Sequence, residues 1–369
     1  NLLVAQSGGP TAAINATLAG VIKQAIKEEQ IDQVYGACYG IQGVLEQKFV
    51  NLTEKVDTEE KLEKLKRTPA AALGSCRFKL NDIKEDDSQY QEIGYFVYIG
   101  GNDSMDTVAK LSAYCKEKGV EDIKVIGGPK TIDNDLCGID HCPGFGSAAK
   151  YISTVFCELE QEITVYEPKN VIIVEMMGRH AGWLTAAAAL AEGKNGNVPY
   201  LVYLEEKPFS LDRFIDDVKE KLASTNAVLV AVSEGVHDTE GRFLCEQEES
   251  RELDVFGHTK LSGTGKILEE AVRAKIGCKV RSIELNLLQR CAGHILSKTD
   301  IEESGNLGAN AVKLAVAGES GLMSSLTRVS DAPYTVEYSG VDIREVANKE
   351  KKIPVERINE AGNGVKEEL

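Results

Sequence analysis

The run Gly127-Gly128-Pro129-Lys130-Thr131-Ile132-Asp133-Asn134-Asp135 follows the mostly apolar stretch Ile123 to Ile126 and is crowded with groups that cannot be buried unpaired. Two carboxylates, an ammonium, a hydroxyl and a Gly-Gly-Pro turn stand at the carboxyl end of a predicted strand. That is where open α/β sheets bind ligands. The same residues also fit an ordinary strand-to-loop turn whose Asp and Asn side chains satisfy local backbone donors.

Other predicted strand ends carry comparable groups. Leu2 to Ala5 runs into Gln6-Ser7-Gly8-Gly9-Pro10-Thr11 and then a helical pattern from Ala12 to about Lys27. Backbone N–H groups in such a turn suit an anion, although a plain tight turn reads the same way. The turn is neither a dinucleotide fingerprint nor a P-loop. Tyr95 to Ile99 ends in Gly100-Gly101-Asn102-Asp103-Ser104 before a helix from about Met105 to Lys118. Asn170 to Glu175 exits through Met176-Met177-Gly178-Arg179, and Ala227 to Val232 ends in Ser233-Glu234-Gly235. Arg77 and Lys79 flank Phe78 after a Gly-Ser turn, either as a surface loop or as a phosphate contact. The collected cations are Arg77, Lys130, Arg179, Arg281 and Arg290, and the acids are Asp103, Asp133, Asp135 and Glu234. Several cations imply a substrate with more than one phosphate, and carboxylates beside them imply magnesium or a base. The chemistry that joins these is Mg²⁺-dependent phosphoryl transfer to a small phosphorylated acceptor.

Strands and helices must alternate to present those ends on one side of a sheet. Beyond the segments above, Val34 to Tyr39, Pro199 to Leu204, Lys279 to Leu285 and Leu322 to Val329 read as strands. Asp57 to Arg67, Ser147 to Glu160, Leu184 to Ala191, Leu211 to Ala223, Thr264 to Ala274 and Ile301 to Ala317 read as helices. Thr239 to Gly263 is polar, a hairpin or loop, and the charged sequence beyond Val346 is expected to be peripheral. A chain of 369 residues exceeds the size at which one core stops growing, so two domains are expected. No repeat of solenoid period is present.

Lys and Arg number 42 against 58 Asp and Glu, a formal charge of −16. Such a field repels phosphate backbones and anionic membranes, so neither nucleic acid nor a membrane is an expected partner. Nine cysteines without a Cys-x-x-Cys pair fit reduced thiols and a cytoplasmic location. Cys137 and Cys142, with His141 between them, suggest a metal but lack a second ligand pair. No apolar run approaches about 20 residues, and no signal peptide is read before the first strand. The chain starts at Asn1 without Met, so a few leading residues are expected to precede it.

Gly100 to Ser104, Pro129 to Asp135, Met177-Gly178-Arg179, Ser233-Glu234-Gly235 and Gln289-Arg290, in that order, resemble the signature set of the 6-phosphofructokinases. Ser7-Gly8-Gly9-Pro10 with Ile14-Asn15, and the run from Asp140-His141 through Pro143-Gly144 to Gly146-Ser147-Ala148-Ala149-Lys150, most resemble the pyrophosphate-using branch. The resemblance implies an α/β fold: two Rossmann-like three-layer αβα domains with the active site in the cleft between them. Residues 1–144 with 289–345 would form the phosphoryl-donor domain, and 145–288 with 346–369 the sugar-phosphate domain. It further implies reversible transfer from pyrophosphate to the 1-hydroxyl of fructose 6-phosphate, with Mg²⁺, in a homodimer or homotetramer.

By the same resemblance Asp133 would be the base, with Thr131 nearby and Asp135 supporting it and the magnesium together with Asn102. Thr131, Ile132, Met177, Gly178 and Arg179 would line the sugar-phosphate site, Arg179 also steadying the transferring phosphoryl group. Glu234 would hold sugar hydroxyls and Arg290 the 6-phosphate, with Leu287 close by, while Arg281 would reach a neighbouring subunit's site. Gly9, Arg77, Asp103, Ser104 and Lys130 would serve pyrophosphate. ATP-using members carry glycine where Asp103 and Lys130 stand: a carboxylate at 103 would oppose the α-phosphate of ATP, and Lys130 would neutralise pyrophosphate. There are departures. Asn102 stands where a magnesium-binding Asp is expected, Asn170 where a second-subunit Arg is expected, with Lys169 beside it as a candidate substitute, and Leu287 where a polar or aromatic group is expected. The basic effector-site residues are missing after Asn15. An ATP-dependent enzyme and a non-catalytic sugar-phosphate-binding subunit of the same fold are the alternatives.

Overall fold

The computed structural model describes residues 1–76, 78, 93–194, 198–247 and 263–367. In chain order the first elements are β1 (Leu2–Gln6), α1 (Ile14–Ala25), β2 (Val34–Ala37), α2 (Gly40–Leu45), β3 (Phe49–Asn51), α3 (Leu52–Lys55) and α4 (Glu59–Arg67). Then come β4 (Tyr95–Gly100), α5 (Asn102–Glu117), β5 (Lys124–Pro129), α6 (Phe145–Ile163), β6 (Asn170–Met176), α7 (Trp183–Ala186), β7 (Tyr200–Tyr203) and α8 (Leu211–Ser224). The last are β8 (Ala227–Ser233), α9 (Thr264–Lys275), β9 (Lys279–Glu284), α10 (Leu288–Cys291), α11 (Lys298–Val316), β10 (Leu322–Asp331) and β11 (Tyr334–Asp342).

These elements form two compact units: Asn1–Ser147 with Arg290–Glu350, and Ala148–Gln289 with Lys351–Leu369. The first holds a seven-stranded sheet in the order β11-β10-β5-β4-β1-β2-β3. Its central pairs are parallel, and β3 and β11 close the edges antiparallel. Every residue of β1 is buried, as a central strand covered on both faces requires. Leu2 and Val4 join the cluster built with α1 and α11, whereas Leu3 and Ala5 join the opposite one with Tyr98 and Met105. Helices α1 and α11 meet backbone to backbone: a side chain at Gly20 would collide with the Gly305 carbonyl, and one at Gly308 with that of Thr17.

The second unit is built on a four-stranded parallel sheet, β7-β8-β6-β9, whose core includes Val171, Ile173, Phe214, Val230 and Leu268. Among the described residues no helix is long and apolar enough to cross a membrane.

Three sequence expectations are corrected. The tail is not peripheral: Ile353 and Ile358 are buried, Val202 N–H donates to Asn363 O, and Trp183 Nε1 donates to Lys351 O. Its apolar residues, spaced among charges, gave too little periodicity to reveal this. The strand β11 was not foreseen: none of its residues is fully buried, and the antiparallel ladder with β10 makes it. The helix expected over Leu184 to Ala191 becomes a 3₁₀ turn from Ala187. The polar segment Thr239 to Gly263 is described only to Gln247 and at Gly263.

Candidate active site

In the first unit β5, β4 and β1 are neighbours, so their carboxyl ends lie side by side. Ser7 N–H donates to Ile99 O (2.8 Å) and Lys130 N–H to Gly100 O (3.0 Å), which stitches the three exits together. The Lys130 side chain is 3% exposed. Its ammonium donates to Gly9 O (2.5 Å) and Ser7 O (3.2 Å), so carbonyls at the glycine turn replace its water. Gly8 has a φ of +76° and its own carbonyl accepts from Ser75 Oγ. At Gly9 an added Cβ would lie 2.5 Å from Arg290 Nη1, so the Arg290 guanidinium rests on this turn.

Asp103 is exposed in the first turn of α5, where a carboxylate is favoured by the helix dipole. Ser104 is 3% exposed and packs against Gly100. Asn102 uses both ends of its amide: Nδ2 donates to Lys349 O and Oδ1 accepts from Asn348 N–H, each at 2.7 Å.

The loop after β5 is folded back on itself. Thr131 N–H donates to Pro143 O (3.1 Å), and Asn134, in the left-handed region at φ +56°, accepts at Oδ1 from Cys142 N–H. Thr131 Oγ1 accepts from Asp133 N–H, leaving Asp133 half-buried at the tip. Ile132 is 4% exposed, a core residue whose side chain is unavailable as a ligand. Oδ1 of Asp135 is enclosed and has no hydrogen-bond partner. Burial raises the Asp135 pKa and Glu350 adds to this, while its backbone and Thr131 hydrogen bonds and Lys130 pull the other way.

His141 does not pair with the cysteines: its two nitrogens face Asp140 Oδ1 (2.8 Å) and Glu303 Oε2 (2.7 Å). Among the described residues no group of three or more His, Cys, Asp and Glu is arranged to hold a metal. Arg77 lies outside the described residues.

In the second unit β6 and β8 are paired at Met176 and Ser233, which brings their exits together. Glu234 N–H donates to Met176 O, Ser233 Oγ to Gly178 O (2.8 Å), and Gly178 N–H to Glu234 Oε1 (3.3 Å). Gly178 needs its φ of +126°, since the Ala181 carbonyl occupies the space of a side chain. Met177, Arg179 and Glu234 are thus grouped and half-buried. Arg281 is exposed on the edge strand β9, and Leu287 is exposed in the following turn. One acid that pattern reading passed over is Glu175, buried inside β6, which accepts from Gly265 N–H at 2.7 Å. Burial, with Glu284 nearby, pushes its pKa up to about 7 against the hydrogen bonds from Gly265 and Gly263.

A cavity of about 460 Å³ opens at the other end of this sheet, lined among others by Lys169, Lys219, Cys278 and Lys279. Of the residues singled out from the sequence, its lining includes Lys169. Lys279 opens β9, and its ammonium lies 3.5 Å from the centroid of the Tyr166 ring.

Residues 1–315 match the phosphofructokinase family. The pyrophosphate–fructose 6-phosphate 1-phosphotransferase of Methylococcus capsulatus is 38% identical over 379 aligned positions, which take in 100% of this chain and 89% of that protein. The crystal structure of a pyrophosphate-dependent phosphofructokinase from Nitrosospira multiformis superposes with a TM-score of 0.87 at 34% identity, covering 100% of this chain and 89% of that one. The corresponding protein from Marinobacter aquaeolei gives 0.86 at 36% identity with the same coverage.

Proposed function

The chain belongs to the phosphofructokinase family, and we propose that it moves a phosphoryl group from pyrophosphate to the 1-hydroxyl of fructose 6-phosphate, reversibly, releasing orthophosphate. The observation that carries the choice of donor is the buried Lys130 ammonium fastened to the Ser7 and Gly9 carbonyls, with the Asp103 carboxylate exposed at the start of α5. A fixed cation at the glycine turn attracts a compact polyanionic donor. A carboxylate at 103 repels the α-phosphate that a nucleotide would bring.

Asp133, held at the loop tip by its N–H bond to Thr131 Oγ1, takes the proton of the sugar 1-hydroxyl. Gly9 N–H and Lys130 hold the donor phosphates, and the Arg290 guanidinium adds charge at the same turn. Arg179, Met177, Gly178 and Glu234 engage the sugar phosphate and its hydroxyls. Arg281 is assigned to the site of a neighbouring copy in a homodimer or homotetramer, and the enzyme to the cytoplasm.

The enclosed, unpartnered Oδ1 of Asp135 fits a divalent cation, whereas the amide of Asn102 is already committed to residues 348 and 349. Mg²⁺ bound by Asp135 and the donor phosphates would neutralise charge on the transferring group, a usual arrangement for a cation that keeps few protein ligands.

Steady-state turnover of the purified chain with fructose 6-phosphate, Mg²⁺ and either pyrophosphate or ATP tests the proposal. Turnover with pyrophosphate is expected; turnover with ATP alone would overthrow the donor assignment.

A further inference from the structure

We propose that Asp140 and His141, together with Asp300 and Glu303 of α11, form a clasp that positions the loop carrying Asp133, with His141 as its central positioning residue. The inference rests on the proposed role of Asp133. The run that contains Asp140, His141, Gly144 and Ser147 has no other part in the assigned chemistry.

Residues 131–144 form a closed loop. Its two arms are joined by Thr131 N–H to Pro143 O, by Cys142 N–H to Asn134 Oδ1, and by a parallel bridge between Thr131 and Gly144. Whatever fixes the returning arm therefore fixes the arm that bears Asp133.

Two anchors hold the returning arm to α11. Asp300 is 4% exposed and both its oxygens accept backbone N–H groups, Oδ1 from Gly144 (2.8 Å) and Oδ2 from Ser147 (2.9 Å). Ser297 closes the same knot, its N–H donating to Ser147 Oγ and its Oγ accepting from Asp300 N–H. The second anchor is His141, between Asp140 on the loop and Glu303 on the helix. Glu303 is itself held, its Oε1 accepting from Tyr334 Oη on β11 (2.6 Å).

A bridge between two carboxylates needs a donor at each end, and imidazole offers two only when protonated. Burial alone would push the His141 pKa down, but the hydrogen bonds and charges of Glu303 and Asp140 outweigh it and the net shift is upward from 6.5. The groups that face this cluster are Asp140 from the loop, Asp300 and Glu303 from α11, Arg328 and Asp331 from β10, and Tyr334 and Tyr338 from β11. A histidine raised on folding gives its full contribution below its unfolded pKa and loses it as pH rises through the folded value. The clasp is accordingly tightest below the unfolded pKa and slackens as pH rises through the raised folded value.

The test uses the full-length enzyme with Mg²⁺ and both substrates, comparing His141→Gln, His141→Lys and the milder Glu303→Gln with the parent. His141→Gln should lower kcat about tenfold while both KM values stay within about twofold, as expected when a reacting group is displaced rather than a binding group lost. The amides of Thr131, Cys142 and Gly144 should exchange with solvent faster. His141→Lys, which keeps a cation between the carboxylates, should restore part of the rate and hold it at alkaline pH where the parent declines. Unchanged kcat and unchanged exchange at those amides would overturn the clasp. So would a loss of rate that merely tracks loss of folded protein in thermal melts, with Glu303→Gln fully active. The exchange readout does not depend on the reaction, so failure of Asp133 as the base is distinguishable from failure of the clasp.

Discussion

Lys130 is a buried cation held by hydrogen bonds rather than by a counter-charge: at 3% exposure its ammonium donates to the carbonyls of Ser7 and Gly9. It thus shapes the glycine turn as well as charging it. Asp133 is placed differently, half-exposed at a loop tip with its backbone restrained by Thr131. Asp133→Ser should therefore leave substrate binding nearly intact while kcat falls by roughly 10²–10⁴-fold, the range for a lost general base; steady-state kinetics with a calorimetric fructose 6-phosphate titration check both halves. Arg290, expected from sequence at the sugar phosphate, rests on the Gly9 turn of its own unit. Arg290→Ala should raise KM for pyrophosphate as well as for the sugar, and a change confined to the sugar would return it to the sugar site alone. Charged residues at strand ends were legible because such groups must face water or a ligand. Asp300 was not, since its partner Gly144 is 156 residues away and only the fold brings them together.

In the first unit β1 and β4 are short apolar strands closed by glycine at or just after their ends, which is why these strand-turn-helix units could be read from the chain. Their ends were less legible. Helix α5 begins at Asn102, three residues before the expected start, because Gly101 as N-cap lets the polar run Asn102-Asp103-Ser104 form the first turn. In the second unit, β6 ends beside a carboxyl group that its strand buries. Glu175 has a folded pKa of about 7 against 4.5 unperturbed, so folding favours its protonated form. Ionisation consequently costs stability as pH rises from the unfolded value through the folded one. Glu175→Gln can keep the acceptor for Gly265 N–H without the charge. It should stabilise the protein by on the order of 2 kcal/mol at pH 8 and hardly at all at pH 4, when denaturant unfolding of parent and variant is compared. An equal effect at both pH values would assign Glu175 a packing role instead.

Across the whole molecule a charge of −16 must be overcome by local cations if two phosphorylated substrates are to bind. In the first unit two cations, Lys130 and Arg290, meet at Gly9. The α/β architecture and the family could be read from the ordered motifs, whereas the integration of the C-terminal tail into the second sheet could not, because its contacts are scattered single residues such as Ile353 and Ile358. The claim most open to direct test is that Asp103 and Lys130 choose the donor. The measurement is the ratio of kcat/KM for ATP to that for pyrophosphate, in the parent and in the Asp103→Gly, Lys130→Gly double variant. Because Lys130 also shapes the turn, both rates can fall, and the ratio isolates selectivity. It should rise at least about tenfold, the equivalent of one relieved charge contact of roughly 1.4 kcal/mol. An unchanged ratio would contradict the account.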